Sequence, residues 1–306
     1  MSALSGRQHE GPLATARGVG ARTFSLSGRK RRQQLHQLFV YVVLIPLAAI
    51  VLIPLLWMVS TSLKQQMDVF LNPPVWIPLP PHWSNYSDLF TFYPLQLYAW
   101  NTTIITSLCI VGTLLSCSLA AYGFSRLRAP GRDVIFMLVL STLMLPDVVT
   151  LVPTYILFQK LGWVNTFLPL IVPSFFGNAF YIFLLRQFMM TIPLELEDAA
   201  RIDGASSLGI WWRIMIPLIR PALLMAAVFT FQYTWTDYLK PLIYLNDENK
   251  RTLAVALSYF TGSPRGGPQL HFLMAASFLS LLPLIIVFFF VQRTMIKGIV
   301  FTGLKG

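Results

Sequence analysis

Six stretches of this chain are apolar over lengths close to those a lipid bilayer demands, and no other feature constrains the fold as strongly. They cover residues 38–58, 102–124, about 134–158, 167–185, about 218–235 and 272–292. The third is interrupted by Pro146, Asp147 and Pro153, and the fifth is short and has Arg220 near its start. A hydrocarbon core about 30 Å thick takes about 20 helical residues to cross. Backbone groups in lipid must find partners within their own segment, so each run is expected to be a helix; the alternating pattern of a barrel is absent. Hydrophobic residues make up 55% of the chain and charged residues 11%, against roughly 25% charged in a soluble domain. These values argue against a secreted disulfide scaffold, a disordered chain or an ordinary cytosolic enzyme. The expected fold class is an all-α integral membrane protein with six transmembrane helices.

A net charge of +11 could suggest nucleic acid, but the charge is placed as in a membrane protein. If the N-terminus is cytoplasmic, seventeen of the 23 basic residues fall on inner segments and six on outer ones. Such a bias sets orientation, so both termini are expected inside. The first apolar run follows Arg29, Lys30, Arg31 and Arg32, is longer than a signal-peptide core and has no cleavage-like site after it; it reads as an anchor. Residues 1–37 are then a basic cytoplasmic arm, and 38–306 a six-helix transmembrane domain with an inner loop at 186–217, an outer loop at 238–271 and a cytoplasmic tail at 293–306. The cysteines, Cys109 and Cys117, lie eight positions apart in one run, about 12 Å along a helix. That is too far for a disulfide, so both are expected to be small packing residues. The four histidines have no metal-binding spacing, and no metal site is expected.

The inner loop contains four of the twelve acidic residues: Glu195, Glu197, Asp198 and Asp203. It reads as helix, turn, helix. Pro193 suits a helix start, three acids in the first turn suit the helix dipole, and Gly204 suits the residue just past the helix end. A second amphipathic stretch leads to Pro217. Periodicity alone allows a helix lying on the membrane surface or a docking element for a cytosolic partner.

The residues of this loop resemble the "EAA loop" of permease subunits of ATP-binding-cassette (ABC) importers. Asp198-Ala199-Ala200, Asp203-Gly204-Ala205, Trp211, and Pro217 with Pro221 match that pattern at its spacing. Asp198 stands where the family has Glu, although Glu197 precedes it, and Trp211 stands where Phe is usual. Further segments resemble the maltose-type second permease of carbohydrate-uptake type 1 importers: Met144-Leu145-Pro146, the run from Leu161 to Thr166, Trp235-Thr236-Asp237-Tyr238 and the tail from Lys297. The resemblance covers nearly everything after residue 38. It implies a type I importer permease fold and a multi-pass place in a bacterial or archaeal cytoplasmic membrane. The implied partners are a second permease as heterodimer, two ATP-binding subunits, an extracytoplasmic solute-binding protein and membrane lipid. It also implies that Glu197, Asp198, Ala199, Ala200, Asp203, Gly204, Ala205, Trp211 and Pro217 couple the chain to the ATPase. Sugar, oligosaccharide, polyol and glycerol phosphate all fit as solute.

The sequence contains no phosphate-binding loop. The chain is therefore expected not to be an enzyme and to hold no cofactor, with ATP and Mg used by partner subunits and no catalytic residue. Asp147 is the acid deepest within an apolar run, and acids in membranes usually face a cavity or a partner. It could line a translocation path or partner interface, or cap a broken helix. Trp235 and Asp237, at the end of the fifth run, are weaker candidates for the same path or interface, because Trp also serves as an interfacial anchor. The rival readings are a non-sugar ABC permease, a secondary transporter and a membrane-embedded enzyme. A secondary transporter would need intramembrane ion-coupling groups beyond Asp147, and an enzyme would need paired polar groups within the runs.

Overall fold

The two sharpest breaks among the long helices of this chain fall beside prolines, Pro146 and Pro221. The computed structural model describes residues 26–262 and 269–303. In chain order the helices are α1 (Leu26–Ser62), α2 (Ser84–Phe92), α3 (Leu95–Arg126), α4 (Arg132–Ser141), α5 (Asp147–Lys160), α6 (Leu168–Ile171) and α7 (Ala179–Met190). They continue as α8 (Glu195–Ile202), α9 (Ser207–Ile210), α10 (Ile216–Leu218), α11 (Arg220–Trp235), α12 (Leu239–Tyr244), α13 (Leu253–Ser258) and α14 (Leu270–Gly303). Among the described residues there is no strand. The basic residues from Arg7 to Arg22, the turn at 263–268 with Arg265, and Lys305 lie outside the described residues. So do the side chains of residues 29–32 and of the tail from Arg293.

The chain divides into two compact units, one ending at Pro54 and the other beginning at Leu55. The division falls inside α1. The described part of the first unit is helix containing Pro46 and Pro54.

Four segments are long and apolar enough to cross a membrane unbroken: His36–Ser62, Leu95–Arg126, Leu168–Met190 and Leu270–Gln292. The other two expected spans are bent pairs. Arg132–Met144 meets Asp147–Lys160 at 101°, and Ser207–Leu218 meets Arg220–Trp235 at 80°. Proline accounts for the first bend. A residue before proline is pushed out of the helical region, and Leu145 is extended at φ −85°, ψ 117°. Pro146 follows at φ −63°, ψ 136°, and α5 starts afresh at Asp147. At the second bend, Trp211–Met215 forms a wide π turn, Ile219 leaves the helical region at φ −91°, ψ 12°, and α11 restarts at Arg220 with Pro221 in its first turn.

Helix α3 runs through the second unit with α7 and α11 packed along it. Near its Arg126 end, Cys117, Ala121 and Tyr122 join Leu185, Met189, Ile210, Met215 and Ile219 in one apolar core. Near its Leu95 end, Leu95 and Tyr98 join Leu89, Trp235, Phe260, Phe272 and Ala275 in another. Both cysteines are buried and free, as their spacing predicts.

Candidate functional site

Two places carry the polar chemistry. The first is the acidic loop after α7. Helix α8 begins at Glu195, two residues later than Pro193 suggests, and has Glu195, Glu197 and Asp198 in its first turn. It ends as the glycine predicts. Gly204 has φ +82°, its amide donates to the Arg201 carbonyl at 3.0 Å, and the Ala205 amide donates to the Ala200 carbonyl at 2.9 Å. This pair of bonds is the Schellman ending. Ser206 then caps α9 by accepting from the Gly209 amide at 3.2 Å.

Glu197 faces inward. Its carboxylate lies 3.1 Å from Nε of Arg126, at the end of α3, and 3.7 Å from Arg201 one turn along α8. Arg126 also donates to the Ile192 carbonyl at 2.7 Å and to the Met189 carbonyl. Beside it, Arg186 donates to the Phe124 carbonyl at 3.2 Å and lies 4.3 Å over the Phe136 ring. Burial outweighs the pull of the two guanidinium groups and holds the Glu197 carboxyl above the usual carboxylate range. The other loop residues face outward: Asp198, Ala199, Asp203, Gly204, Ala205 and Pro217 are exposed and Ala200 half-buried. Ile202, Leu208 and Trp212 are exposed apolar side chains on the same loop. Trp211 is half-buried and packs on the core under the loop. Of the loop residues singled out from the sequence, Glu197 thus anchors the loop while the Asp198-to-Ala205 face is free.

The second place is a cavity of about 460 Å³ between α3, α5, α7, α11 and α12. Its wall runs along α3 from Thr102 to Thr113, about 16 Å of helix. Asp147 lines it from the first turn of α5, immediately after the 101° break. Its carboxylate accepts from Tyr233 Oη at 3.2 Å and lies 3.7 Å from Lys240 Nζ. Lys240 Nζ in turn donates to Tyr233 Oη at 2.8 Å. Asp237 also lines the cavity, and its carboxylate accepts from the Lys240 amide at 3.3 Å. Asp147 and Asp237 are therefore brought together.

Trp235 is not. Its ring is 7% exposed, stacks on Phe231 at 5.4 Å and donates from Nε1 to the Ser280 carbonyl at 3.0 Å. An indole buried in the core with its N–H satisfied by α14 is a packing residue, and Trp235 is not in the cavity wall. Sequence reasoning missed Tyr233 and Lys240. The available signal was register, since Lys240 follows Asp237 by three and Tyr233 precedes it by four. It also missed Arg126, which entered only as a flanking positive charge.

At the Leu95 end of α3, Asn101 Nδ2 donates to the carbonyls of Asn249 and Arg251 at 2.8 and 3.0 Å. Asn165, at φ +63°, accepts on Oδ1 from the amides of Asn246 and Asp247 at 3.2 and 2.9 Å. Asparagine tolerates this left-handed conformation better than most residues. These two side chains hold the loop after α12 in place.

Several membrane-length helices with a polar cavity among them and an ordered acidic loop make a multi-pass membrane protein. Residues 112–300 match the family described as "Binding-protein-dependent transport system inner membrane component", and the chain belongs to that family. It is 33% identical to the "Probable ABC transporter permease protein YurM" of Bacillus subtilis (strain 168), over 90% of this chain and 91% of that one. It is 30% identical to the "Lactose transport system permease protein LacG" of Rhizobium radiobacter, over 87% and 96%. A solved bacterial ABC transporter "involved in the import of the acidic polysaccharide alginate" superposes with a TM-score of 0.76 at 25% identity, covering 86% of this chain and 97% of that one.

Proposed function

We propose that the chain is one of two permeases in a bacterial or archaeal ABC importer for a sugar or sugar-like solute, moving it inward by alternating access. The ordered loop from Glu197 to Ala205 carries this reading. Its acidic helix is bolted to the membrane domain by Arg126 and offers Asp198, Ala199, Asp203, Gly204 and Ala205 outward. That is the form required of an element that seats in a separate ATPase and passes its movement on. Two partner ATPase subunits supply hydrolysis with ATP and Mg, and the chain itself catalyses nothing. Each bent helix pair counts as one span, giving six, with both termini in the cytoplasm. The loop after α12 faces outward, toward a solute-binding protein. The sugar class rests on the likeness to the lactose permease and the alginate transporter.

In alternating access, ATP binding favours one of two global states. The cavity lined by Asp147 and Asp237 is this chain's share of the route, with the second permease closing the other side.

The test is to purify the chain with its neighbours and ask whether an ATPase subunit comes with it, then to repeat with Gly204→Glu and Asp203→Lys. Both variants should lose the ATPase and solute uptake. ATPase retention with normal uptake in both would overturn the coupling role.

A further inference from the structure

Resting on that reading of the cavity as solute route, we infer that this chain's share of the route accepts uncharged polyhydroxylated solutes and rejects those bearing phosphate or carboxylate. Three ionisable side chains of formal charge line the cavity: Asp147, Asp237 and Lys240. The one cation is outnumbered by two carboxylates. It is also already engaged, 3.7 Å from the Asp147 carboxylate and 2.8 Å from Tyr233 Oη. Asp237 lies beside it, accepting from its backbone amide. An anionic solute reaching for the ammonium would have to displace Asp147 and then stand against both carboxylates. Like charges brought this close together repel, so two carboxylates flanking the ammonium disfavour an anion there.

The rest of the wall suits a neutral sugar. Seven threonines line the cavity, and each hydroxyl can donate or accept. Tyr244 and Phe158 add aromatic surface at one end, with ring centroids 5.5 Å apart. Hydroxyl groups that both give and take hydrogen bonds match a polyol without demanding a charge. On this inference the solute resembles the neutral cargo in the name of the lactose relative more than the acidic polysaccharide of the alginate transporter.

The test reads the local charge directly and needs no knowledge of the solute. In the complete importer, with Cys109 and Cys117 replaced by Ala, Thr150→Cys places a thiol in the cavity one turn from Asp147. Its rates of modification by trimethylammonioethyl methanethiosulfonate and sulfonatoethyl methanethiosulfonate are compared, each normalised to its rate with free mercaptoethanol. The cationic reagent should be favoured by about fivefold or more, as expected where a cleft concentrates one sign of charge. Asp147→Asn should lower that ratio and Lys240→Gln should raise it. Equal rates, a faster anionic reagent, ratios unmoved by both variants, or a thiol that neither reagent reaches would each overturn the inference. Failure of an ATPase subunit to co-purify with the parent chain would instead strike the importer reading, because the thiol rates do not depend on it.

Discussion

Arg126 and Glu197 form an ion pair 3.1 Å long in which each side chain is only 3% exposed. It joins the end of α3 to the loop that carries the acidic helix α8. Removing one partner of a buried pair leaves the other charge uncompensated, at a cost of about 3–5 kcal/mol. Glu197→Ala should destabilise the purified chain by roughly 3 kcal/mol, read as an earlier thermal unfolding transition in detergent. Exposed Asp198→Asn should shift that transition little and instead weaken ATPase association. Equal stability losses in the two variants would refute the division of labour between these neighbours.

Glu197 also makes stability depend on pH. Burial raises its folded-state value above the ordinary 4.5, so the native chain holds this proton more tightly than the unfolded one. The resulting stabilisation is present in full below 4.5 and is lost as pH rises through the raised folded value. Thermal unfolding followed from pH 4 to pH 7 should fall less steeply in Glu197→Gln than in the parent, because each tenfold tightening of proton binding is worth roughly 1.4 kcal/mol. Identical slopes would mean that the carboxyl titrates at its ordinary value.

Gly204 ends α8 at φ +82° with nothing within 4 Å of an added Cβ. Backbone strain alone therefore opposes Gly204→Ala, at about 1–2 kcal/mol. The bulk of the chain should remain folded while the loop loosens. Limited proteolysis should cut at residues 202–208 sooner in the variant, and unchanged cleavage would count against the strain argument.

Gly112 lies at a close approach. A Cβ there would stand 2.7 Å from Phe175 Cδ2, where the helical run leading to α7 passes α3. Gly112→Val should overpack this crossing, costing about 1–3 kcal/mol, and lower the yield of folded protein. A yield equal to the parent's would show that Phe175 can swing aside.

Asp147 is 76% exposed, and its pair with Lys240 is 3.7 Å long. Such a pair contributes at most about 1 kcal/mol, so Asp147→Asn should assemble normally. Uptake should nevertheless fall several-fold if this side chain lines the route. Normal uptake by vesicles containing the variant importer would exclude that role.

The apolar runs made the long helices legible, because a bilayer imposes one length on every span. Gly204 and the acids before it placed α8 and its ending, since caps depend on a few adjacent residues. Pro146 marked a break but not its angle, because proline removes one helical solution without choosing another. The pairs Arg126–Glu197 and Asp147–Lys240 could not be read. Each joins residues 71 or more positions apart, and sequence spacing carries no information about which distant charges meet. Trp235 was ambiguous for a related reason: an indole at a helix end serves lipid, cavity and core alike until its N–H finds an acceptor.

Helix α3 is fastened at both ends, by Asn101 to the carbonyls of residues 249 and 251 and by Arg126 to Glu197. Between the fastenings it contains no proline, and its 32 residues span about 48 Å. It is in effect a tie rod. A stiff member anchored this way would pass a displacement of α8 on to the far loop as motion of the whole rod, and one wall of the cavity would move with it.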